Sequence, residues 1–366
     1  MQRKILFISN VPSPYRVAFF NELGKHCLLT VLFEKSTSDE RDESWKKYSF
    51  DNFSGIIMNG KSVNTDSAIC FDVIKYLKCL DYDEVICSDF SSPTGILAVN
   101  YMRRKKISYY LEADGGFPGV STGLKYHLKH AIIKGAKGYF STSDSLDEYF
   151  LMYGAKMSQL IRYPFSSVYD SDVLSELMSE SDKKNLRQEL SIPEDRVLIA
   201  VGQFIYRKGF DLLIEATKEL PSDVGVYIVG GSPSQELLDV KEKNNLCNLH
   251  FLQFMDKANL FRYYQAADAF VLPTREDAWG LVVNEAMACG LPVVTTDRCG
   301  AGVTMIEEGI SGYVVPVNDK QQLAAALVRL ARLEDAKLRE MGQKAIEEAR
   351  KYTIETMVEA HLNILL

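Results

Sequence analysis

Short apolar runs alternate with helix-patterned stretches along the whole chain, and this alternation limits the fold more than any other feature. Lys4–Ser9 (KILFIS) is an apolar run closed by Asn10, Pro12 and Pro14, which marks it as a buried strand. Tyr15–Leu23 then carries helical spacing. Strand-like runs recur at Leu28–Phe33, Glu84–Cys87, Ile107–Leu111 and Gly138–Ser141, separated by helical patterns at Ser67–Leu80, Pro93–Arg104 and Leu124–Ile133. Strands that are apolar at nearly every position are buried on both faces, which is the situation in a parallel sheet covered by helices. After Tyr163-Pro164-Phe165 the pattern breaks. Residues 166–196 are rich in Ser and acids, with a short helix expected at Ser181–Leu190 and a stop at Pro193. The alternation then restarts with strands at Val197–Val201, Val226–Val229, Leu249–Leu252, Ala269–Leu272 and Pro292–Thr295, and helices close the chain from about Asp319. The expected fold class is α/β, with two doubly wound domains at 1–165 and 197–350, a linker region at 166–196 and a C-terminal helix at 351–366. Ligands of such sheets bind beyond the carboxyl ends of the strands, so two domains facing each other would form a cleft.

Length agrees, since 366 residues suit two domains. Forty-two basic against 49 acidic side chains give net charge −7, which excludes a general polyanion binder and argues against a nucleic-acid partner. Residues 1–165 hold 21 basic and 18 acidic groups, net +3, and the remainder is net −10, so the two domains have different surroundings. Seven cysteines without CxxC spacing argue against a disulfide framework or a structural zinc site and fit a reducing cytoplasm. The apolar run Ile5–Ile8 is too short for the core of a signal peptide, and no stretch reaches the ~20 apolar residues of a membrane span. A cytoplasmic protein is expected. Residues 103–137 carry eight Lys/Arg against Glu112 and Asp114, with Tyr126 and Leu128 interleaved. Such a surface suits peripheral contact with an anionic membrane at its inner face, though charge runs are more often solvated helix faces.

The densest chemical signal is PTREDAWGLVVNEAMACGLPVVT, residues 273–295. A strand feeds a loop, and a helix begins near Gly280. The unpaired amides at such a helix start suit a diphosphate. Glu285, just inside the helix, is placed to accept hydrogen bonds from a ribose diol, and Asp277 on the approach loop to hold sugar hydroxyls. Taken alone, Asp277 reads as a helix cap and Glu285 as a solvated helix residue. Their coincidence with Trp279-Gly280 and the small-residue helix end Ala286–Gly290 favours a site.

DAWGLVVNEAMACGLPVV closely resembles the signature of retaining family-4 glycosyltransferases of the GT-B fold, of the bacterial surface-polysaccharide type. That signature is an acidic residue, seven others, Glu, then Ala-Met-Ala-Cys-Gly-x-Pro-Val-Val. Val201-Gly202-Gln203 through Tyr206-Arg207-Lys208-Gly209, Ile228–Gly231, Tyr263–Asp268 and Pro316–Asp319 resemble further family segments in the same order. The resemblance implies two Rossmann-like domains facing across a cleft, with the C-terminal helix packing back on the first. The second binds a nucleotide-sugar donor, with a UDP-sugar expected, and the first binds a glycan or lipid-linked acceptor. It implies that Lys208, with Arg207, neutralises the departing diphosphate. It assigns Glu285 to the ribose, and Asp277 with the amides of Ala278, Trp279, Gly280 and Leu281 to the transferred sugar and phosphates. Phe254 and Met255 would border the base; packing in the core is the equal alternative. Transfer with retention is expected, with no cofactor and no metal, since cations and amides meet the charge. Three positions depart from the family: Asp277 where Glu is usual, Gln203 where Arg is usual, and Thr304 where Glu often stands.

In the first domain, SNVPSPYRVAFFNEL resembles a subgroup with a Pro-Tyr-Arg turn. Tyr15 and Arg16 are the acceptor-binding candidates, Arg16 reading otherwise as a solvated first-turn residue. Ser108–Phe117 (SYYLEADGGF) puts Glu112 and Asp114 beyond a strand end. Asp114 stands where many relatives have a His contacting the donor sugar, and an Asp there orients a hydroxyl or takes the acceptor's proton; its plain alternative is an Asp-Gly turn. Asp81-Tyr82-Asp83 matches the metal-binding triplet of the other major glycosyltransferase fold but precedes its strand, the wrong end for a parallel-sheet site. The five histidines form no metal-ligand spacing. The rival readings are a non-catalytic GT-B module that binds a nucleotide sugar or glycan, and an epimerase of the same fold.

Overall fold

The computed structural model describes residues 2–37, 48–79, 81–119 and 122–366. The chain divides into two compact units, residues 1–167 with 353–366, and residues 168–352. In the first, the chain runs β1 (Lys4–Ser9), α1 (Pro14–Leu23), β2 (Leu28–Phe33), β3 (Ser54–Ile57), β4 (Lys61–Ser62), β5 (Ala68–Ile69), α2 (Val73–Lys78), β6 (Glu84–Cys87), α3 (Pro93–Lys105), β7 (Tyr110–Glu112), α4 (Gly123–Ile133), β8 (Gly138–Ser141), α5 (Asp144–Met152) and β9 (Leu160–Arg162). Seven strands form one parallel sheet in the order β3-β2-β1-β6-β7-β8-β9. Every residue of β6, β7 and β8 is buried, as helices on both faces require.

The second unit contains α6 (Glu180–Glu189), β10 (Arg196–Val201), α7 (Phe210–Thr217), β11 (Val224–Val229), α8 (Gln235–Lys243), β12 (Leu249–Leu252), α9 (Lys257–Ala266), β13 (Ala269–Leu272), α10 (Leu281–Ala288), β14 (Val293–Thr296), α11 (Gly300–Met305), β15 (Gly312–Val315), α12 (Lys320–Ala331) and α13 (Asp335–Ala349). Its parallel sheet has the order β12-β11-β10-β13-β14-β15. Side-chain caps start many of these helices, with Ser179, Ser234, Asp256 and Asp319 each accepting the backbone N–H of the third residue of its helix. The chain then enters α14 (Ile354–Leu365), capped by Thr353, which belongs to the first unit. Arg3 Nη1 donates to the Leu365 carbonyl at 2.6 Å there.

In both sheets the strand order reverses direction once, between β1 and β6 and between β10 and β13. At such a switch point the loops leaving adjacent strands diverge to opposite faces and open a crevice at the carboxyl ends. In the second unit those loops are 202–209 and 273–280.

Three sequence expectations need correction. Ser67–Leu80 is not one helix. Residues 68–69 pair antiparallel with 61–62, and helix is confined to Val73–Lys78; Leu80 lies outside the described residues. Glu34 accepts from the Ala68 amide at 2.8 Å, and the Thr94 hydroxyl accepts from Cys70 N–H while donating to the Ala68 carbonyl. These tertiary bonds satisfy the backbone where helix would otherwise do so. The strand expected from Ile107 begins only at Tyr110, because Lys106 turns left-handed (φ 56°) and Ile107 N–H returns to the Met102 carbonyl, closing α3. Residues 166–196 are not a plain linker: Val168 onward groups with the second unit, where Arg187 and Lys183 of α6 reach Asp268 at 2.6 and 3.1 Å.

Candidate functional site

The loop after β10 closes in a single tight turn, Tyr206–Lys208, and Gly209 follows with φ 71°. A side chain at Gly209 would bring its Cβ to 2.0 Å from the Pro273 carbonyl oxygen, so only glycine lets this turn lie against the loop after β13. The two loops are stitched by backbone and side chain. Arg275 N–H donates to the Arg207 carbonyl at 2.7 Å, and the Thr274 hydroxyl donates to the same oxygen at 2.9 Å. Arg207 Nη1 donates back to the Glu276 carbonyl at 2.8 Å. Lys208 Nζ lies 2.6 Å from Asp277 Oδ2, and Arg207 Nη1 lies 3.8 Å from Asp277 Oδ1. Lys208 and Asp277 are largely buried, while the Arg207 side chain is 48% exposed. The structure therefore brings Arg207, Lys208 and Asp277 together at the switch point.

The Arg275 guanidinium completes the stitching. It forks onto Asp211 of α7 with Nη1 2.8 Å from Oδ1 and Nη2 2.6 Å from Oδ2. Nη1 also donates to the Tyr206 carbonyl at 2.7 Å, Nε donates to Asn318 Oδ1 at 2.9 Å, and the cation sits 3.9 Å from the centre of the Tyr206 ring.

Helix α10 starts directly beyond this loop. Gly280 takes φ 97°, and an added Cβ would meet Cys299 Sγ at 2.8 Å. The preceding loop is held to residues 298–301: Asp277 N–H donates to the Arg298 carbonyl, Gly300 N–H to that of Asp277, and Ala301 N–H to that of Trp279. Asp277 is therefore not the cap of α10, which its bland reading would have made it; that position belongs to Gly280. Trp279 is 2% exposed, and its indole N–H donates to Asn284 Oδ1 at 2.8 Å, so its side chain serves the core and only its backbone lies on the loop. Ala278 is exposed, and Leu281 begins the helix. The first amides of a helix have no intrahelical acceptor and carry partial positive charge. Glu285 is half-buried and accepts from the Tyr264 hydroxyl at 3.3 Å; burial and then Glu285 push that phenol well above its ordinary range. Phe254 is 52% exposed and Met255 half-buried; they follow β12, two strands from β10 along the sheet. Thr304 sits in α11 and donates to the Gly300 carbonyl.

The first unit holds a separate group of charges at its own strand ends. Arg16 is only 3% exposed, which overturns its reading as a solvated first-turn residue. Its Nη2 lies 2.5 Å from Glu112 Oε1 and 3.3 Å from Asp114 Oδ1, and its guanidinium lies between 5 and 6 Å from the Phe19 and Phe20 rings. Glu112 Oε2 is 3.0 Å from Nε2 of the fully buried His361 on α14, whose Nδ1 faces the Met357 carbonyl at 2.7 Å. Burial pushes the Glu112 carboxyl up, but Arg16 and His361 together outweigh it and hold the group at about 2. Asp114 is raised, by burial first, against the pull of Arg16. The Tyr163 hydroxyl lies 3.4 Å from Asp114 Oδ1, and Tyr15 packs edge-on against Phe165. Two further carboxyls stand at these strand ends. Burial raises Asp89 to about 6, with Asp114 and Asp66 adding to it, and raises Glu34 to about 7.

The sequence reading missed Arg275, His361, Glu34 and Asp89. Arg275 had a signal, since it lies two residues before Asp277. His361 had none, because its partner Glu112 is 249 residues away. Asp81 and Asp83 both contact Lys4 at the amino ends of β1 and β6, away from the ligand end. Among the described residues no group of three or more His, Cys, Asp or Glu is arranged to hold a metal ion. On α4, Leu124 and Leu128 stand 86% and 54% exposed one turn apart, but Lys129 rests over the Tyr149 and Tyr153 rings and Lys137 pairs with Glu84. Among the described residues no helix is long and apolar enough to cross a membrane.

Residues 182–352 match the family model described as glycosyl transferases group 1. The chain is 29% identical over 229 residues to D-inositol 3-phosphate glycosyltransferase 2 of Catenulispora acidiphila, which covers 58% of this chain and 51% of that protein. The chain thus spans about half the length of the curated relatives it matches. Its whole length superposes on the sucrose-phosphate synthase of Thermosynechococcus elongatus with a TM-score of 0.77 at 20% identity, covering 99% of this chain and 98% of that one. Anabaena Alr3699/HepE, solved in complex with UDP, superposes with a TM-score of 0.78 at 16% identity, covering 99% of each chain. At these identities the likeness speaks for the fold, which is GT-B: two Rossmann-like domains of parallel α/β architecture.

Proposed function

We propose that this protein is a retaining glycosyltransferase that moves a sugar from a UDP-sugar to a hydroxyl of a glycan or lipid-linked acceptor. The observation that carries the reading is the convergence of Lys208, Arg207 and the start of α10 at the switch point of the second sheet. A departing nucleoside diphosphate gains negative charge as the anomeric C–O bond breaks, and fixed cations with helix amides are what lower the energy of that state. Lys208 would leave Asp277 for the diphosphate, freeing the Asp277 carboxylate for hydroxyls of the transferred sugar. Glu285, steadied by Tyr264, would accept from the ribose diol. These groups would meet the leaving-group charge in place of a metal ion. The UDP bound by the Anabaena neighbour supports the choice of nucleotide.

Asp114 would face the acceptor; Arg16, buried against Glu112, would hold Asp114 in place and not touch the acceptor itself. Asp114, whose Oδ1 meets Arg16 and the Tyr163 hydroxyl, would orient the acceptor hydroxyl. By the sequence resemblance the reaction would be front-face and retaining, the acceptor proton passing to an oxygen of the leaving diphosphate. A surface-polysaccharide role rests on the sequence resemblance, and peripheral membrane contact through residues 103–137 rests on the bare Leu124 and Leu128 beside Lys125. A second reading, a binding module without turnover, has one observation in its favour: Asp277 is a methylene shorter than the usual Glu and is already closed on Lys208.

The test is a thermal-shift panel of UDP, GDP, ADP and their common sugar conjugates, followed by nucleotide release from the best donor. A ligand at 100 times its Kd stabilises by about 2.7 kcal/mol. A shift with one nucleotide, lost in Lys208→Met, supports the donor site; no shift with any of them refutes it. Binding without nucleotide release across a range of glycan acceptors would select the module.

A further inference from the structure

We propose that Arg275 is a positioning residue for diphosphate binding: it clamps the Tyr206–Lys208 turn so that Arg207 and Lys208 project together into the switch-point crevice. The inference rests on the donor-site reading above and adds to it a residue that touches no substrate. Arg275 draws together three loops that leave different strands. Its fork on Asp211 fixes it to the first turn of α7, its Nη1 holds the Tyr206 carbonyl, and its Nε holds Asn318 beyond β15. Its own backbone N–H takes the Arg207 carbonyl, which Thr274 also occupies, so both lone pairs of that oxygen are engaged. With its ring under the guanidinium and its carbonyl bonded, Tyr206 cannot roll.

The geometry distinguishes this clamp from an ordinary surface ion pair. The Arg275 side chain is only 12% exposed, and four of its contacts fall on the turn that carries the two cations or on the first turn of the helix behind it. Exposed single pairs contribute little, whereas a bidentate guanidinium fixes direction as well as distance. Lysine, a point charge with no planar fork, cannot bridge Asp211, Tyr206 and Asn318 at once. Two cations on a turn of three residues repel each other, and without the clamp the turn would relax by swinging Arg207 into solvent.

The experiment measures binding of the nucleoside diphosphate that wild type binds best among UDP, GDP and ADP, by calorimetry. Its variants are Arg275→Ala, Arg275→Lys, Asp211→Asn, Lys208→Met and the Arg275→Ala/Lys208→Met double. Arg275→Ala is expected to weaken binding roughly tenfold, the scale of one lost charge-assisted hydrogen bond. Arg275→Lys should not recover it, and millimolar guanidinium added to Arg275→Ala should restore part of it. Because the clamp acts in part through Lys208, Arg275→Ala should cost less binding in the Lys208→Met background than in wild type, the non-additivity of coupled residues. Asp211→Asn keeps the shape of the pair and should weaken binding in the same direction, which serves as the test should Arg275→Ala unfold. Wild-type affinity in Arg275→Ala, or losses that add in the double variant, would overturn the clamp and leave the donor site standing. Failure of folded wild type to bind any of the three nucleotides would overturn the donor reading and the clamp with it.

Discussion

Replacing Glu34 by Gln is expected to make the protein more stable at pH 8. Glu34 follows β2 and is 2% exposed. Burial, with a smaller contribution from Asp89, pushes its carboxyl from an ordinary 4.5 up to about 7. A folded-state value above the unfolded one means that the native protein holds a proton the unfolded chain has released. Stability from this group is therefore complete below pH 4.5 and is lost as pH rises through about 7. At 1.36 kcal/mol per pH unit, a gap of this size is worth roughly 3 kcal/mol at pH 8. Glutamine keeps the local bonds: its carbonyl accepts from Ala68 N–H, and its NH2 donates to the Ser92 hydroxyl, whose own proton turns to the Asp89 carbonyl. Urea unfolding at pH 5, 6, 7 and 8, followed by circular dichroism, compares the two proteins. Asp89, raised to about 6, titrates in both; its smaller coupling to Glu34 changes the size of the difference and not its sign. The variant should be near wild type at pH 5 and more stable by about 2–3 kcal/mol at pH 8. Curves that stay parallel across this range, or a variant less stable at pH 8, would refute the argument that Glu34 is held protonated by burial.

Other outcomes follow from the same geometry. Arg16→Met leaves Glu112 charged in the core and should lower stability by about 3–5 kcal/mol in thermal or urea unfolding. In wild type the Glu112 contribution, from a lowered carboxyl, is complete above pH 4.5 and lost as pH falls toward about 2, so an acid titration of stability that is flat there counts against the pairing. Gly280→Ala must hold φ 97° with a methyl pressed on Cys299 Sγ, and should cost about 1–3 kcal/mol, read as a lowered Tm. Asp114→Asn should slow sugar transfer ~10²-fold or more while calorimetry shows nucleotide affinity unchanged; near-wild-type turnover would return Asp114 to a turn role.

How much of this was legible in the sequence depended on range. Lys208 and Asp277 were visible because each lies in the loop directly after a strongly apolar strand, β10 or β13, and the chemistry is written within a few residues of the strand end. In the two parallel sheets the strands that escaped, SGII at β3, LIR at β9 and GYVV at β15, are all sheet edges, short and paired on one side only. The helix expected at 67–80 failed because Glu34 and Thr94 capture the backbone of Ala68 and Cys70, and neither is near in sequence. The solvated alternative for Arg16 stayed open for the same reason: its partner Glu112, and Glu112's partner His361, are distant in sequence. Periodicity reports which face of an element is covered. It does not report which distant residue covers it.

The return of α14 to the first unit bears on how the chain acquires its structure as it is made. Residues 168–352 form a contiguous unit, whereas the first unit needs residues 354–365 to complete its core. His361, which stacks on Phe140 at 4.5 Å and meets Glu112 at 3.0 Å, is translated after the whole of the second unit. On the ribosome the usual N-to-C order of domain completion is therefore reversed. The second unit can close while the first still lacks the helix that brings His361 to Glu112. Contacts spanning some 250 residues also form slowly. A nascent chain stalled just short of residue 354 should carry a protease-resistant second unit and a first unit still open to digestion.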